Sequence, residues 1–297
     1  MREIQHKTLK MTSKIRIAIQ KSGRLSEASL ALIKECGIDF GGTGTGKLKA
    51  DASNFPAEIL FLRDDDIPGY VADGVADIGI VGENVAVEKS PNSNIVYRLG
   101  FSKCRLSLAV PKGEIYTNLA DFEGKDIATS YPKLLENYLK ENNVSAKIHE
   151  ISGSVEIAPS IGLAHGICDI VSSGSTLLSN GLKEVEVVFR SEAVMIAADN
   201  LPADKQKILE KLLFRIRAVQ SAQKNKYILL NAPNSQIDEI VQILPGIKSP
   251  TILPLAVDGW SSLHSVINED DFWDIIENLK NAGAEGILVI PIEKMIG

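Results

Sequence analysis

Residues 172–176 read Ser172-Ser173-Gly174-Ser175-Thr176, and they follow a short apolar run, 167–171, that carries Asp169. Such a tract offers backbone N–H groups and hydroxyls with almost no side-chain bulk, which suits a phosphate: small residues admit the anion closely, and the amides of a turn and of a following helix start point at it. Asp169, at the end of the preceding strand, is placed to meet a ribose hydroxyl or a metal ion. The same residues also suit a plain Ser/Thr helix cap at a βα turn.

A second stretch repeats the pattern. Residues 71–84 align without a gap on 163–176, with Ala72/Ala164, Gly74/Gly166, Asp77/Asp169, Ile78/Ile170 and Gly82/Gly174 identical. The spacing predicts two similar lobes, each with a helix, a strand ending in Asp-Ile and a glycine loop at the strand's carboxyl end, where open α/β sheets bind ligands. In the second lobe the predicted helix places Ala158, Ile161, Leu163 and Ala164 on one face. A cleft between the lobes is the natural site.

The elements that must carry these residues follow from periodicity. Residues 14–20 alternate as a strand, and Gln20, Lys21, Ser22, Gly23 and Arg24 turn into a helix over 25–36, forming a cationic loop at a strand's carboxyl edge. Residues 58–62 form a strand ending in Arg63, Asp64, Asp65, Asp66 and Ile67, before a helix beginning at 70. The three carboxylates suit either a solvated helix start or contact with an amine or magnesium. Glu83 and Asn84 close the first lobe's glycine loop. Further strands are expected over 104–110, 125–129, 184–189 and 193–197, and helices over 134–141 and 204–225.

Several tempting motifs fail on their context. Residues 41–47 satisfy G-x-x-x-x-G-K, but Leu48 follows where a phosphate loop needs Ser or Thr, and strands rather than a helix come next, so a hairpin loop is expected. Ser130 and Lys133 match S-x-x-K without the partner motifs of penicillin-recognising enzymes, and read as a helix entry. His6, His149, His165 and His264 form no H-E-x-x-H, and there is no G-x-S-x-G.

Composition narrows the class. A chain of 297 residues with 44% hydrophobic content has ample core for two or three domains. Its net charge of −6 and lack of a basic stripe argue against nucleic acid as a partner. Cys36, Cys104 and Cys168 are widely spaced and odd in number, which supports neither a disulfide framework nor a zinc site and suits a reducing compartment. No apolar run is long enough to span a membrane, and the N-terminus lacks a signal-like apolar core, so a cytoplasmic protein is expected. Residues 1–10 read as a frayed tail or a start-site artefact.

Residues 226–297 have a separate rhythm, strand-helix-strand-strand-helix-strand, the ferredoxin-like βαββαβ order. The fold class expected is therefore α/β: lobe one over 1–104 with a return segment 190–225, lobe two over 105–189, and a C-terminal domain over 226–297 that reads as a ligand sensor or oligomerisation unit.

The chain resembles the long form of ATP phosphoribosyltransferase. The likeness rests on residues 19–25 (I-Q-K-S-G-R-L), 63–69 (R-D-D-D-I-P-G), 82–84 (G-E-N), 128–132 (A-T-S-Y-P) and 250–254 (P-T-I-L-P). The family's pattern, a Glu, a Gly and a small residue leading to D-[LIV]-x-x-[ST]-G-x-T-L, is filled by Glu156, Gly162, Ala164, Asp169, Ser173, Gly174, Thr176 and Leu177. The glycine tract 41–46 departs from it and receives no role.

The resemblance implies periplasmic-binding-protein-like (type II) lobes, a magnesium-dependent reaction, a homohexamer exchanging with dimers, and feedback inhibition by histidine at the third domain. It also implies that adenine N1 of ATP attacks C1 of 5-phosphoribosyl 1-pyrophosphate as pyrophosphate leaves. Asp169 and the loop Ser172, Ser173, Gly174, Ser175 and Thr176 are then assigned to phosphoribosyl pyrophosphate. Gln20 through Arg24, Asp64, Asp65, Asp66, Ile67, Glu83 and Asn84 face ATP or the metal-bound diphosphate, and Arg24 and Arg63 join Asp169 as catalytic candidates. No particular carboxylate is singled out as the magnesium ligand. Thr251, Ile252, Leu253, Ile287 and Leu288 are the candidates for the histidine pocket. The competing classes are a non-catalytic two-lobed binding protein and a subunit that has lost activity.

Overall fold

The computed structural model describes residues 13–41, 47–244, 246 and 249–296. The expected tail, 1–10, and residues 42–46 of the glycine tract lie outside the described residues. The chain divides into two compact units, Met1–Ala31 with Ile38–Leu209, and Leu32–Gly37 with Glu210–Gly297.

The first unit begins with β1 (Ile15–Gln20), α1 (Arg24–Glu35), β2 (Lys49–Asp51), β3 (Ala57–Leu62), α2 (Ile67–Ala72), β4 (Ile78–Gly82), α3 (Glu83–Lys89) and β5 (Asn94–Arg98). It crosses to β6 (Cys104–Pro111), β7 (Asp126–Thr129), α4 (Pro132–Glu141), β8 (Lys147–Glu150), β9 (Gly166–Val171), α5 (Ser175–Ser179) and β10 (Leu182–Ser191), then returns through β11 (Ala193–Ala197). Two sheets result, in the orders β2-β3-β1-β4-β11-β5 and β10-β6-β9-β7-β8. In each lobe three strands run parallel, and the strand beyond them, β11 or β6, is antiparallel and enters directly from the other lobe. That is the type II two-lobed arrangement. Ile15, Ile17, Ile19, Ile59, Ile78 and Ile80 are fully buried in lobe one, each worth roughly 1.5–3 kcal/mol of transfer free energy.

Three local expectations differ from the structure. The predicted helix before β9 is a single 3₁₀ turn, Val155–Ile157, followed by irregular turns. Gly162 takes a left-handed φ of 74°, which ends right-handed helical backbone there, so the apparent stripe does not form; Ile161 is 67% exposed. The helix expected from residue 70 starts at Ile67, after a 3₁₀ turn at Asp64–Asp66, because Pro68 pre-sets the backbone of a first helical turn.

The third difference concerns the repeat. Gly82 and Gly174 do both cap the helix that follows their strand, but β4 enters its helix directly whereas β9 is followed by a three-residue loop. The ungapped pairing therefore slides by three residues along the strands. Asp169 lies inside β9 near its carboxyl end, while Asp77 precedes β4 at the amino edge. There Asp77 is buried, receives both 2.8 Å hydrogen bonds of the Lys205 ammonium, and accepts the Arg16 amide at 2.7 Å. It is a structural clamp, not a second copy of Asp169.

The second unit holds most of α6 (Ala203–Gln223), whose Leu212, Leu213, Ile216 and Val219 are buried. It continues through β12 (Asn225–Pro233), α7 (Ile237–Ile243), β13 (Thr251–Pro254), β14 (Trp260–Asn268), α8 (Phe272–Asn281) and β15 (Glu285–Pro291). The antiparallel sheet has the order β13-β14-β12-β15, the ferredoxin-like pattern, and Ile228, Leu230, Leu263 and Ile267 pack against Ile240 and Leu279 of the two helices. No helix among the described residues is long and apolar enough to cross a membrane.

Candidate active site

Parallel pairing decides which loops share an edge. In lobe one, Gln20 is in register with Leu62, and β4 runs alongside β1, so Gln20, Arg63 and Gly82 all leave the sheet at its carboxyl edge. In lobe two, Thr129 is in register with both Cys168 and Glu150, so residues 130–131 and 172–176 emerge together. Each lobe's chain order reverses between its first and third parallel strands, the switch point at which such sheets bind ligands. The candidate loops flank both switch points.

The lobe-two half is built around Asp169. Its Oδ1 accepts the Ile170 amide at 2.8 Å. Burial pushes its carboxyl above the ordinary aspartate range, the Ile170 amide opposes this, and the charge of Glu156 adds to it. Beyond the strand, Gly174 takes a φ of 81° that lets the chain turn into α5. The Ser173 and Ser175 hydroxyls are 3.0 Å apart, and the Ser172 carbonyl accepts from Arg105 at 3.3 Å. The amides of Gly174, Thr176 and Leu177 have no backbone acceptor among the described residues. Ser172, Ser173, Ser175 and Thr176 are exposed. The loop thus offers donors to solvent beside a half-buried carboxylate.

In lobe one, Lys21, Ser22, Gly23, Arg24 and Arg63 are exposed at the edge. Asp64, Asp65 and Asp66 succeed one another on the 3₁₀ turn, whose three residues per turn spread successive side chains apart. Ile67 is fully buried in the lobe core, so its side chain packs and has no access to a nucleotide. Glu83 is ion-paired with Arg98, beside Lys103, Arg190 and Glu192 where the chain passes between lobes. Asn84 is also buried: its Oδ1 accepts the Ser191 hydroxyl at 2.7 Å, and its amide donates back to the same oxygen at 3.1 Å. Both residues lock the return of the chain into lobe one.

Tyr131, which carried no assigned role in the sequence, brings the halves together. It packs against the cores of both lobes; burial drives its phenol upward, the charges of Asp169, Asp65 and Asp64 add to this, and the Asn84 side chain opposes it. Its amide donates to the Thr129 hydroxyl at 2.9 Å, which in turn donates to the Cys168 carbonyl at 2.7 Å. Ser130 donates to the Ile151 carbonyl at 2.7 Å and Lys133 lies in the first turn of α4, the helix entry expected there. The candidate histidine residues are not gathered within one chain: Thr251, Ile252 and Leu253 lie on β13 and Ile287 and Leu288 on β15, the two opposite edges of the sheet.

A metal would find no ready cage. Among the described residues no group of three or more His, Cys, Asp or Glu side chains converges on one point. Magnesium needs no such group, since it keeps several waters and takes substrate phosphates with one or two carboxylates.

The chain was compared with known proteins. The family profile for ATP phosphoribosyltransferase matches residues 63–218, and that for its C-terminal domain matches 222–294. ATP phosphoribosyltransferase of Cytophaga hutchinsonii is 65% identical over 96% of this chain and all of its own length, and that of Bacteroides thetaiotaomicron is 58% identical over 95% and 99%. A chain of the ATP phosphoribosyl transferase (HisG:HisZ) complex from Thermotoga maritima superposes with a TM-score of 0.58 at 29% identity, covering 68% of this chain and 98% of that one. With both family profiles matched in succession along the chain and relatives 58–65% identical nearly end to end, the chain belongs to the ATP phosphoribosyltransferase family, in the long form that carries the C-terminal domain.

Proposed function

We propose that this protein joins ATP to 5-phosphoribosyl 1-pyrophosphate, giving N1-(5-phosphoribosyl)-ATP and pyrophosphate, the first step of histidine biosynthesis. The observation that carries the reading is that each lobe presents its candidate loops at the carboxyl edge of its parallel strands, Gln20, Arg63 and Gly82 in lobe one and residues 130–131 and 172–176 in lobe two, with Tyr131 packed against the cores of both lobes. A two-substrate transfer needs two half-sites held at a fixed separation, and alignment of reacting groups alone can supply several kcal/mol of the barrier.

In this reading the 5-phosphate rests on the 172–176 loop and Asp169 accepts from the ribose hydroxyls. C1 passes through an oxocarbenium-like state in which positive charge grows on the ribose, so an ionised Asp169 nearby is favourable. Arg24 and Arg63, exposed at the opposing edge, are the cations available to the triphosphate or the departing diphosphate. Adenine N1 carries no proton, so no general base is needed. One of Asp64, Asp65 or Asp66 would be the carboxylate to hold magnesium, which would supply charge neutralisation to the departing diphosphate.

The domain assignment proposed is lobe one over 1–104 with 190–225, lobe two over 105–189, and a regulatory domain over 226–297. Histidine would inhibit through that last domain. Because β13 and β15 are opposite edges, a pocket using both would draw one edge from each of two chains, in keeping with a hexamer exchanging with dimers. The cytoplasm is the compartment this reading assigns.

The test is pyrophosphate release by the purified full-length protein with magnesium. Release requiring both ATP and phosphoribosyl pyrophosphate supports the reading; none, or release without ATP, rejects it.

A further inference from the structure

Glu88 is a buried carboxylate that none of the assigned roles uses. It sits on α3 of lobe one, 3% exposed, yet its oxygens accept the Lys133 and Leu134 amides of α4 in lobe two at 3.1 and 3.0 Å. Those are first-turn amides, which have no partner inside their own helix, and a carboxylate there is also favoured by the helix dipole. The residue at the cap of α4 is Tyr131, the side chain that packs against the cores of both lobes. The Glu88 charge also reaches Cys168, next to Asp169. One lobe's carboxylate thus holds the helix that carries the other lobe's switch-point loop.

We propose that Glu88 is a positioning residue: its bidentate grip on α4 sets lobe two against lobe one and so fixes the distance between nucleophile and ribose sites. This rests on the two-substrate reading above. A carboxylate suits the task because each of its oxygens accepts one of the two amides, whereas glutamine puts an N–H₂ donor where one of those acceptors stands. Its loss leaves each half-site intact and disturbs only their separation.

The experiment compares Glu88→Gln and Glu88→Ala with wild type in full-length protein. Steady-state kinetics, calorimetric binding of ATP and of phosphoribosyl pyrophosphate separately, and amide hydrogen exchange over 131–136 are measured. Glu88→Ala is expected to lower kcat at least thirtyfold and Glu88→Gln about three- to tenfold, with each single-substrate Kd within threefold of wild type and first-turn amides of α4 exchanging at least tenfold faster. Unchanged kcat in a folded variant overturns the proposal, as does a parallel loss of affinity for both substrates with kcat preserved. Should Glu88→Ala fail to fold, Glu88→Gln decides by the same criteria. If wild type itself releases no pyrophosphate, the functional reading has failed, and the exchange data still decide the grip: unaltered protection in Glu88→Gln rejects it.

Discussion

Two aspartates that look equivalent in the sequence separate by environment. Asp169 is held above the usual carboxylate range by burial, so its ionised form subtracts from stability: the penalty is absent below the unfolded pKa, grows as pH rises to the folded one, and is complete above it. Asp169→Asn is therefore expected to unfold at a higher temperature than wild type at neutral pH, with the gap closing in acid, while kcat/KM falls roughly ten- to hundredfold for loss of a charged hydrogen bond worth about 1.5–3 kcal/mol. The acid limb of the wild-type rate profile should vanish with it. Denaturation followed across pH, beside the kinetics, checks all three. Asp77→Ala should do the reverse, costing about 3 kcal/mol because it strands the half-buried Lys205 ammonium, yet leaving kcat and both KM values of the folded enzyme within twofold. Composition alone cannot tell the two apart, since what differs is the length of the loop after each strand. Tyr131 and Glu88 were hidden for a related reason: each acts across the lobes, and no local period signals a partner 45 positions away.

At the scale of elements, β1, β3, β7, β9 and the helices after most of them were legible from alternation, glycine turns and prolines, whereas β4 begins at Ile78, where the repeat had its strand end. The 172–176 loop was legible too, because Ser, Thr and Gly between an apolar run and a helix leave few other conformations. What failed were short segments where one Gly overrides an apparent stripe, as at 155–164. Gly174 needs its left-handed backbone, which costs a side-chain-bearing residue about 1–2 kcal/mol, so Gly174→Leu should distort the loop, and Thr176→Val should remove a hydroxyl without distorting it. Both are expected to raise the KM for phosphoribosyl pyrophosphate at least tenfold while the KM for ATP moves less than threefold. Equal effects on the two substrates would separate the loop from the 5-phosphate.

For the molecule as a whole, the ferredoxin-like order was readable from spacing, but the placement of Thr251, Ile252 and Leu253 on one sheet edge and Ile287 and Leu288 on the other was not, since strand order is set by pairing between distant segments. An inhibitor bound to the C-terminal unit can act only by favouring one of two states of the enzyme. Calorimetry should therefore find histidine binding in the full-length protein and not in a folded chain ending at residue 225, with no direct competition against phosphoribosyl pyrophosphate; retained affinity in the shorter chain would place the sensor elsewhere. The central claim is the transfer itself, and it is tested most directly by quantifying both products of one magnesium-containing reaction. The account predicts one pyrophosphate per molecule of ATP phosphoribosylated at N1, with neither product formed when either substrate is withheld. Pyrophosphate without a phosphoribosylated nucleotide, or a ribosyl bond at any other atom of the adenine, would contradict it.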